Sequence, residues 1–336
     1  MLPKNDDDLL NLSEAYTNLD NGERFLLSAE KLNDGVALIF MSSFGKEILQ
    51  HSNDWAMDGT FATCPEGFSQ IYVVFGYGGT EKIFPCAYIL LPAKNTTCYN
   101  HAFTTLKSFL EDTTPTSITI DFEQAVIRTI KTVFPVANIR GCKFHFKKSI
   151  FANVGFKGCL PLFYESEQFQ TGLELVYALT YLPPEFVLHA WETVVKPYFH
   201  KHFEENGEVQ DFILYCERNW IGGRRAPTFP IEMWNCYERV LQDRPDTNNA
   251  VESWNARWAA SLGTNHNVLR VIDGFKKENS LAQMKYREVI GGRYVDPNPG
   301  RTAKKLYRYN ELKLAIQNCT RYNVKIVLYN LTNVDL

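Results

Sequence analysis

The sequence predicts a mixed α/β fold built on one sheet, and three observations carry that expectation. Three strand-like segments follow one another between residues 55 and 91. Short strands then alternate with helix-spaced segments up to about residue 145. From about 146 to 245 the strand signal fades into helical periodicity. A meander followed by alternating helix and strand is the pattern of a sheet that mixes antiparallel and parallel pairs.

Residues 1–34 are polar and acidic, with Asp6, Asp7 and Asp8 near the start, and read as a leader holding a short helix or hairpin. Gly35-Val36-Ala37-Leu38-Ile39-Phe40-Met41 is apolar and is expected to pack on the core. Trp55-Ala56-Met57-Asp58 reads as a strand with its polar end at the aspartate. Residues 70–77 are β-branched and aromatic, Gly78-Gly79 reads as a hairpin turn, and 82–91 reads as the returning strand. Pro85 lacks an N–H, so it puts that strand near an edge or makes a bulge. Helix spacing over 99–110 is followed by a short strand ending at Asp121, a helix over 123–133 and a fifth strand over 138–145. The predicted order is β-β-β-α-β-α-β. Helices are expected over 171–181, 184–196 and 209–218, then over 250–262 after the cap signal Asp246-Thr247-Asn248-Asn249. Two more follow near 266–289 and 302–318.

The resulting division is an acidic leader (1–34), a first part of the core (35–146), a helical insertion (147–245), a helix completing the core (246–265) and a basic helical region (266–336). The chain has 336 residues, enough for one large domain with an insertion or for two domains. The longest apolar runs, 71–75 and 87–91, are strand-sized and far below the ~20 residues of a membrane span, so no membrane partner is expected. The eight cysteines are scattered and form no dense framework. Reduced thiols in the cytosol or nucleus are the default for such a pattern.

Charge is uneven. The chain carries −3 overall, but after Glu252 there are 14 Lys and Arg against 6 Asp and Glu, which leaves −11 for residues 1–252. A basic last quarter on an acidic body fits a nucleic-acid-facing surface or a solvated helical tail.

Three carboxylates stand out. Asp58 ends the first strand of the meander, Asp121 ends the fourth strand, and Glu252 lies in the first turn of a helix. Hard cations such as Mg2+ or Mn2+ require oxygen ligands converging from separate elements. Each residue also has a local explanation. Asp58 can initiate a turn, Asp121 can cap the next helix, and Glu252 can complement a helix dipole. Glu123 competes with Asp121 as a ligand but sits where a helix directs it elsewhere.

Cys142 and His145 have ligand identities at half-zinc-site spacing. Cys236 and the pair His200 and His202 are the plausible partners by type, and zinc is disfavoured because no second pair of suitable spacing follows. A polar residue near the site and a satisfied buried histidine remain the two readings of His145. Arg140, Lys143, Lys147 and Lys148 flank this strand and are candidates for phosphate contact. Arg224 and Arg225, beside Trp220 and Gly222-Gly223, form a possible DNA-contacting loop or a surface turn. Trp254 and Trp258, at i and i+4, read as core before base stacking.

Asp58-Gly59-Thr60-Phe61, Pro65, Phe68, Gln70, Pro85, Lys94, Tyr99, Asp121-Phe122-Glu123, Phe134-Pro135 and Gly141-Cys142-Lys143-Phe144-His145-Phe146 resemble the DDE catalytic domain of Mutator-like element (MULE) transposases. The likeness is close over about 35–150 and resumes from Asn248 to Asn255. It implies an RNase H-like five-stranded mixed sheet with a helical insertion before the last catalytic helix. It maps the metal-binding catalytic acids onto Asp58, Asp121 and Glu252, with two Mg2+ or Mn2+ ions. The implied activity is metal-dependent DNA cleavage and strand transfer in the nucleus, on element ends and target DNA. The protein is then expected as a homo-oligomer, since two ends must be joined. The alternative is a domesticated, DNA-binding or regulatory descendant without catalysis.

Overall fold

In the computed structural model, which describes residues 2–61, 63–244, 249–263, 267–296 and 299–332, the chain opens with two short helices, α1 (Asp6–Leu10) and α2 (Glu14–Thr17), and a hairpin, β1 (Leu26–Leu32) and β2 (Gly35–Met41). Helix α3 (Ser43–Gln50) leads to the meander β3 (Asp54–Thr60), β4 (Gln70–Gly76) and β5 (Phe84–Leu91). Then come α4 (Thr96–Phe109), β6 (Ser117–Ile120), α5 (Gln124–Val133) and β7 (Asn138–Gly141). From β3 onward these elements run β-β-β-α-β-α-β.

A helical series follows: α6 (Lys143–Phe156), α7 (Leu160–Glu165), α8 (Glu167–Ala178), α9 (Pro184–Ala190), α10 (Lys196–Phe203), α11 (Gly207–Cys216), α12 (Ile231–Trp234) and α13 (Tyr237–Leu241). The last four helices are α14 (Asn249–Leu262), α15 (Val268–Ile290), α16 (Pro299–Gln317) and α17 (Val324–Thr332). No helix among the described residues is long and apolar enough to cross a membrane. The chain forms two compact units, Met1–Ile139 with Asn249–Val295, and Arg140–Asn248 with Asp296–Leu336.

The sheet is mixed and has seven strands in the order β1-β2-β5-β4-β3-β6-β7, where five were expected. The added strands are the β1–β2 hairpin. Leu26-Leu27-Ser28-Ala29-Glu30-Lys31-Leu32 contains no β-branched or aromatic residue, so local propensity is silent there. Pairing with the apolar run of β2 orders it instead. Strands β3, β4 and β5 pair antiparallel, and β6 pairs parallel to β3. Pro85 lies beyond the last pair of β5 with β2, Met41 with Ala87, and pairs with Phe75 of β4 at an irregularity between Val74 and Phe75. Both the missing β2 neighbour and the bulge accommodate a residue without a backbone donor. The turn at Gly78-Gly79 has positive φ at both residues and is closed by Thr80 N–H to the Tyr77 carbonyl at 2.9 Å, the conformation that favours glycine.

Both faces of the sheet are covered, which is why β4 and β5 are buried throughout instead of alternating. On one face, Tyr72 meets Tyr99 and Phe103 of α4, and Trp55 meets Phe134 just after α5. On the other, Phe75 meets Trp254 of α14, while Phe40 and Tyr88 meet Phe275 of α15. Val251, Trp254, Trp258 and Leu262 line the buried side of α14, so the tryptophan pair is core. Helix α3 crosses β5 closely at Gly45. A Cβ there would stand 2.3 Å from the Cys86 carbonyl oxygen, a backbone atom that cannot step aside. Gly45→Ala is expected to destabilise this unit by about 2 kcal/mol or more, read as a lowered urea midpoint. An unchanged midpoint would mean that the helix can slide.

The second unit is helical, with Phe169, Phe199 and Phe212 in mutual ring contact at its centre. Gly172 of α8 lets the Phe199 ring approach to 2.7 Å of where a Cβ would stand. Phe146 stacks on Trp234 and meets Trp220 edge-on. The expected strand over 138–145 stops at Gly141, and Lys143, Phe144 and His145 begin α6. Lys143, Phe146, Ile150 and Val154 are buried, and the three-residue step from 143 to 146 keeps both on one helix face where a strand would turn them to opposite faces. Residues after 266 divide as well. Helix α15 lies in the first unit, whereas α16 and α17 pack within the second, against α13 and α8. The cap signal at 246–248 lies outside the described residues.

Candidate metal centre

The first unit places three carboxylates around the ends of β3 and β6. The parallel register aligns Asp54 with Ser117, Trp55 with Ile118 and Ala56 with Thr119. Extending it by two residues sets Asp121 beside Asp58, one strand spacing away. Asp58 shares the strand face of Ala56, which packs in the cluster containing Val251 and Trp254. It therefore lies beneath α14. From the first turns of that helix, Asn255 Nδ2 donates to Asp58 Oδ2 at 2.7 Å. Glu252, three residues earlier on the same helix, brings a carboxylate oxygen within 4.8 Å of one on Asp58.

Asp58 is only 5% exposed. Burial, first, and then the charges of Glu252 and Asp121 push its pKa up from 3.8 to about 7, against the opposing hydrogen bond from Asn255. A buried carboxylate crowded by like charges is driven to keep its proton unless a cation compensates it.

Asp121 Oδ1 accepts from the Glu123 N–H at 3.1 Å, which shapes the turn into α5. Glu123 Oε1 accepts from the Tyr99 hydroxyl at 2.8 Å, and Gln70 Nε2 donates to that same hydroxyl. Burial, chiefly, raises the Glu123 pKa, and Asp121 adds to it. Asn255, Tyr99 and Gln70 were not assigned from sequence. Asn255 had a signal, since i+3 from Glu252 puts it on the same helix side.

Gly59 is explained by space. A Cβ would stand 2.8 Å from Gln70 Oε1 and 3.3 Å from the Tyr72 ring. Gly59→Ala is therefore expected to displace Gln70 and loosen Tyr99 from Glu123. The check is a fall in divalent-cation affinity, measured by calorimetry, with the far-UV spectrum retained. Unchanged affinity would show that this support is unnecessary.

The other candidates lie in the second unit. Cys142 is buried at the N-cap of α6, and His145 is half-buried in its first turn. Among the described residues, no cluster of three metal-ligating side chains includes Cys142, Cys236, His200 or His202. Arg140 is half-buried on β7. Lys143 corrects the expectation of a phosphate contact. It is 6% exposed, and its ammonium bonds the Tyr181 hydroxyl beneath the helix surface. The helical turn beginning at Lys143 rotates it inward, where an extended strand would have left it at an edge. Lys147 lies over the Tyr177 ring at 4.7 Å, while Lys148, Arg224 and Arg225 are exposed. Trp220 is buried and stacks on Phe229, so it takes no part in an exposed loop.

Carboxylate oxygens such as those of Asp58 and Glu252 fit a divalent metal ion, and the fold that carries them is that of a mixed α/β protein. Residues 55–149 match the family model described as the MULE transposase domain. The match contains Asp58 and Asp121, whereas Glu252 lies beyond it. No curated protein matches the sequence. The domain implies DNA as partner.

Proposed function

We propose that the chain is the catalytic core of a DDE-type DNA transposase, acting on element ends and target DNA in the nucleus as a homo-oligomer. The observation that carries this reading is the approach of the Asp58 and Glu252 carboxylates beneath α14, beside Asp121. The strand order β5-β4-β3-β6-β7, with β6 parallel to β3, supports an RNase H-like core to which β1 and β2 are added.

Asp58, Asp121 and Glu252 would hold the cations. When bound, Mg2+ or Mn2+ would supply charge stabilisation to the attacking and leaving oxygens of a phosphodiester. Asp58 feels the charges of both Glu252 and Asp121, so a cation held there would relieve the crowding of all three. Asn255 fixes its Oδ2 by hydrogen bonding, which orients the carboxylate. Glu252 depends on α14 for its placement, and the tryptophan face of that helix anchors it to the sheet.

The test is cleavage of end-containing DNA with Mg2+ or Mn2+, with Asp58→Asn as control, followed by a search for strand-transfer product. Metal-dependent nicks and joined product are expected from the wild type alone. Tight DNA binding without cleavage under either metal would favour a domesticated DNA-binding descendant. Nicks without joined product would reduce the reading to a nuclease.

A further inference from the structure

Three chain segments leave the sheet at the edge that carries the acids. Phe61 follows β3, Asp121 follows β6, and Lys94 comes shortly after β5. The pairings Thr60 with Ile71 and Gln70 with Leu91 put the ends of β3 and β5 nearly level. Phe61 is 49% exposed although it directly follows a buried strand. Its ring folds back, with Cζ 3.5 Å from where a Gly59 Cβ would stand. Lys94 is exposed, and its ammonium lies 3.1 Å from the centroid of that ring. Lys94 also acts electrostatically on Glu123, which places it within reach of the acidic cluster.

An exposed cation over an exposed ring adds little stability, so packing alone does not account for leaving both in solvent. The neighbouring carboxylates repel a polyanion. A nucleic-acid strand that brings a phosphate to them gains from a positive charge beside the cluster and from an apolar surface for the adjoining base. Ammonium and aromatic face together are the components with which single strands are held without sequence preference.

We propose that Phe61 and Lys94 form the seat for the nucleotide flanking the scissile phosphate, with Lys94 pairing with its phosphate and Phe61 stacking on its base. The inference rests on the DNA-cleaving reading above and adds the residues that hold the strand. In the free protein the ammonium covers the ring. As a strand arrives, Nζ moves to the phosphate and uncovers the ring face for the base. The occupant is a single-stranded or frayed DNA segment, because a paired base cannot turn its face to Phe61.

The experiment is fluorescence anisotropy of the full chain with a labelled single-stranded oligonucleotide and its duplex, without divalent cation, over a range of salt. Phe61→Ala is expected to weaken single-strand binding about 5- to 100-fold, with affinity recovered in Phe61→Trp and not in Phe61→Leu. Lys94→Ala is expected to reduce the slope of log affinity against log salt by about 0.7, and Lys94→Arg to retain it. A merely structural cation–π contact would move the melting temperature and leave the salt slope alone. Wild-type affinity and slope in both alanine variants would overturn the seat while leaving the transposase reading intact. A wild-type chain that binds no DNA would overturn both, and the Asp58→Asn cleavage comparison judges the catalytic reading separately.

Discussion

Asp58→Asn is expected to abolish metal-dependent cleavage and, in the metal-free protein at pH 8, to raise thermal stability. Both effects have one cause. The Asp58 pKa is raised from 3.8 to about 7 by burial and by its acidic neighbours. Between these values the folded chain keeps a proton that the unfolded chain releases. The stability tied to this group is therefore fully present below about pH 4, declines as pH rises, and is lost above about 7. At 1.36 kcal/mol per unit, the strain in the charged state approaches ~4 kcal/mol. Asparagine keeps the shape and removes the charge. Its advantage over the wild type should be largest at pH 8 and vanish near pH 4. Mg2+ or Mn2+ should reverse the order at pH 8, because a ligand stabilises only the protein that binds it. Thermal unfolding at both pH values, with chelator and with metal, measures this. A variant less stable than wild type at pH 8 in chelator would show that Asp58 is not crowded by charge.

Trp258→Ala should be the most damaging single change distant from the acids. Trp258 is fully buried, stacks on Phe275 at 5.3 Å and on Trp254 at 5.5 Å, and donates through Nε1 to Thr63 Oγ1 at 2.8 Å. Gly274 of α15 is glycine because a Cβ would lie 2.7 Å from this ring. Truncating a buried tryptophan costs about 3–5 kcal/mol, a large share of a domain's ~5–15 kcal/mol. Because α14 carries Glu252 and Asn255, the loosened helix should also lose divalent-cation affinity. Trp258→Phe should keep most of the stacking and recover most of that affinity. Urea unfolding with metal titration by calorimetry provides the check. Full metal affinity in a destabilised Trp258→Ala protein would show that the packing of α14 and the placement of Glu252 are independent.

Local patterns account for much of the first unit and for the helices of the second near 171–181, 184–196, 209–218 and 302–318. The meander was legible because β-branched and aromatic runs are bounded by glycines, and it contained Asp58, although β3 continues two residues past that aspartate to Thr60. The β1 segment was not legible, since its order comes from pairing with a distant run. The beginning of α6 was misread because three residues are too few to separate a strand from a helix. The buried tryptophan face of α14 was readable from i and i+4 spacing, yet that spacing could not say which sheet residues lie beneath it.

By itself the sequence determined that Asp58 lies in one strand, that Asp121 follows another and that a later helix carries Glu252. Local chemistry, φ preferences and periodicity suffice for that, because they act over a few residues. The tertiary structure alone decided that α14 returns over β3, that Asn255 grips Asp58 and that Lys143 turns inward. Those outcomes depend on burial summed over surfaces far apart in the chain, and no short window of sequence contains both surfaces.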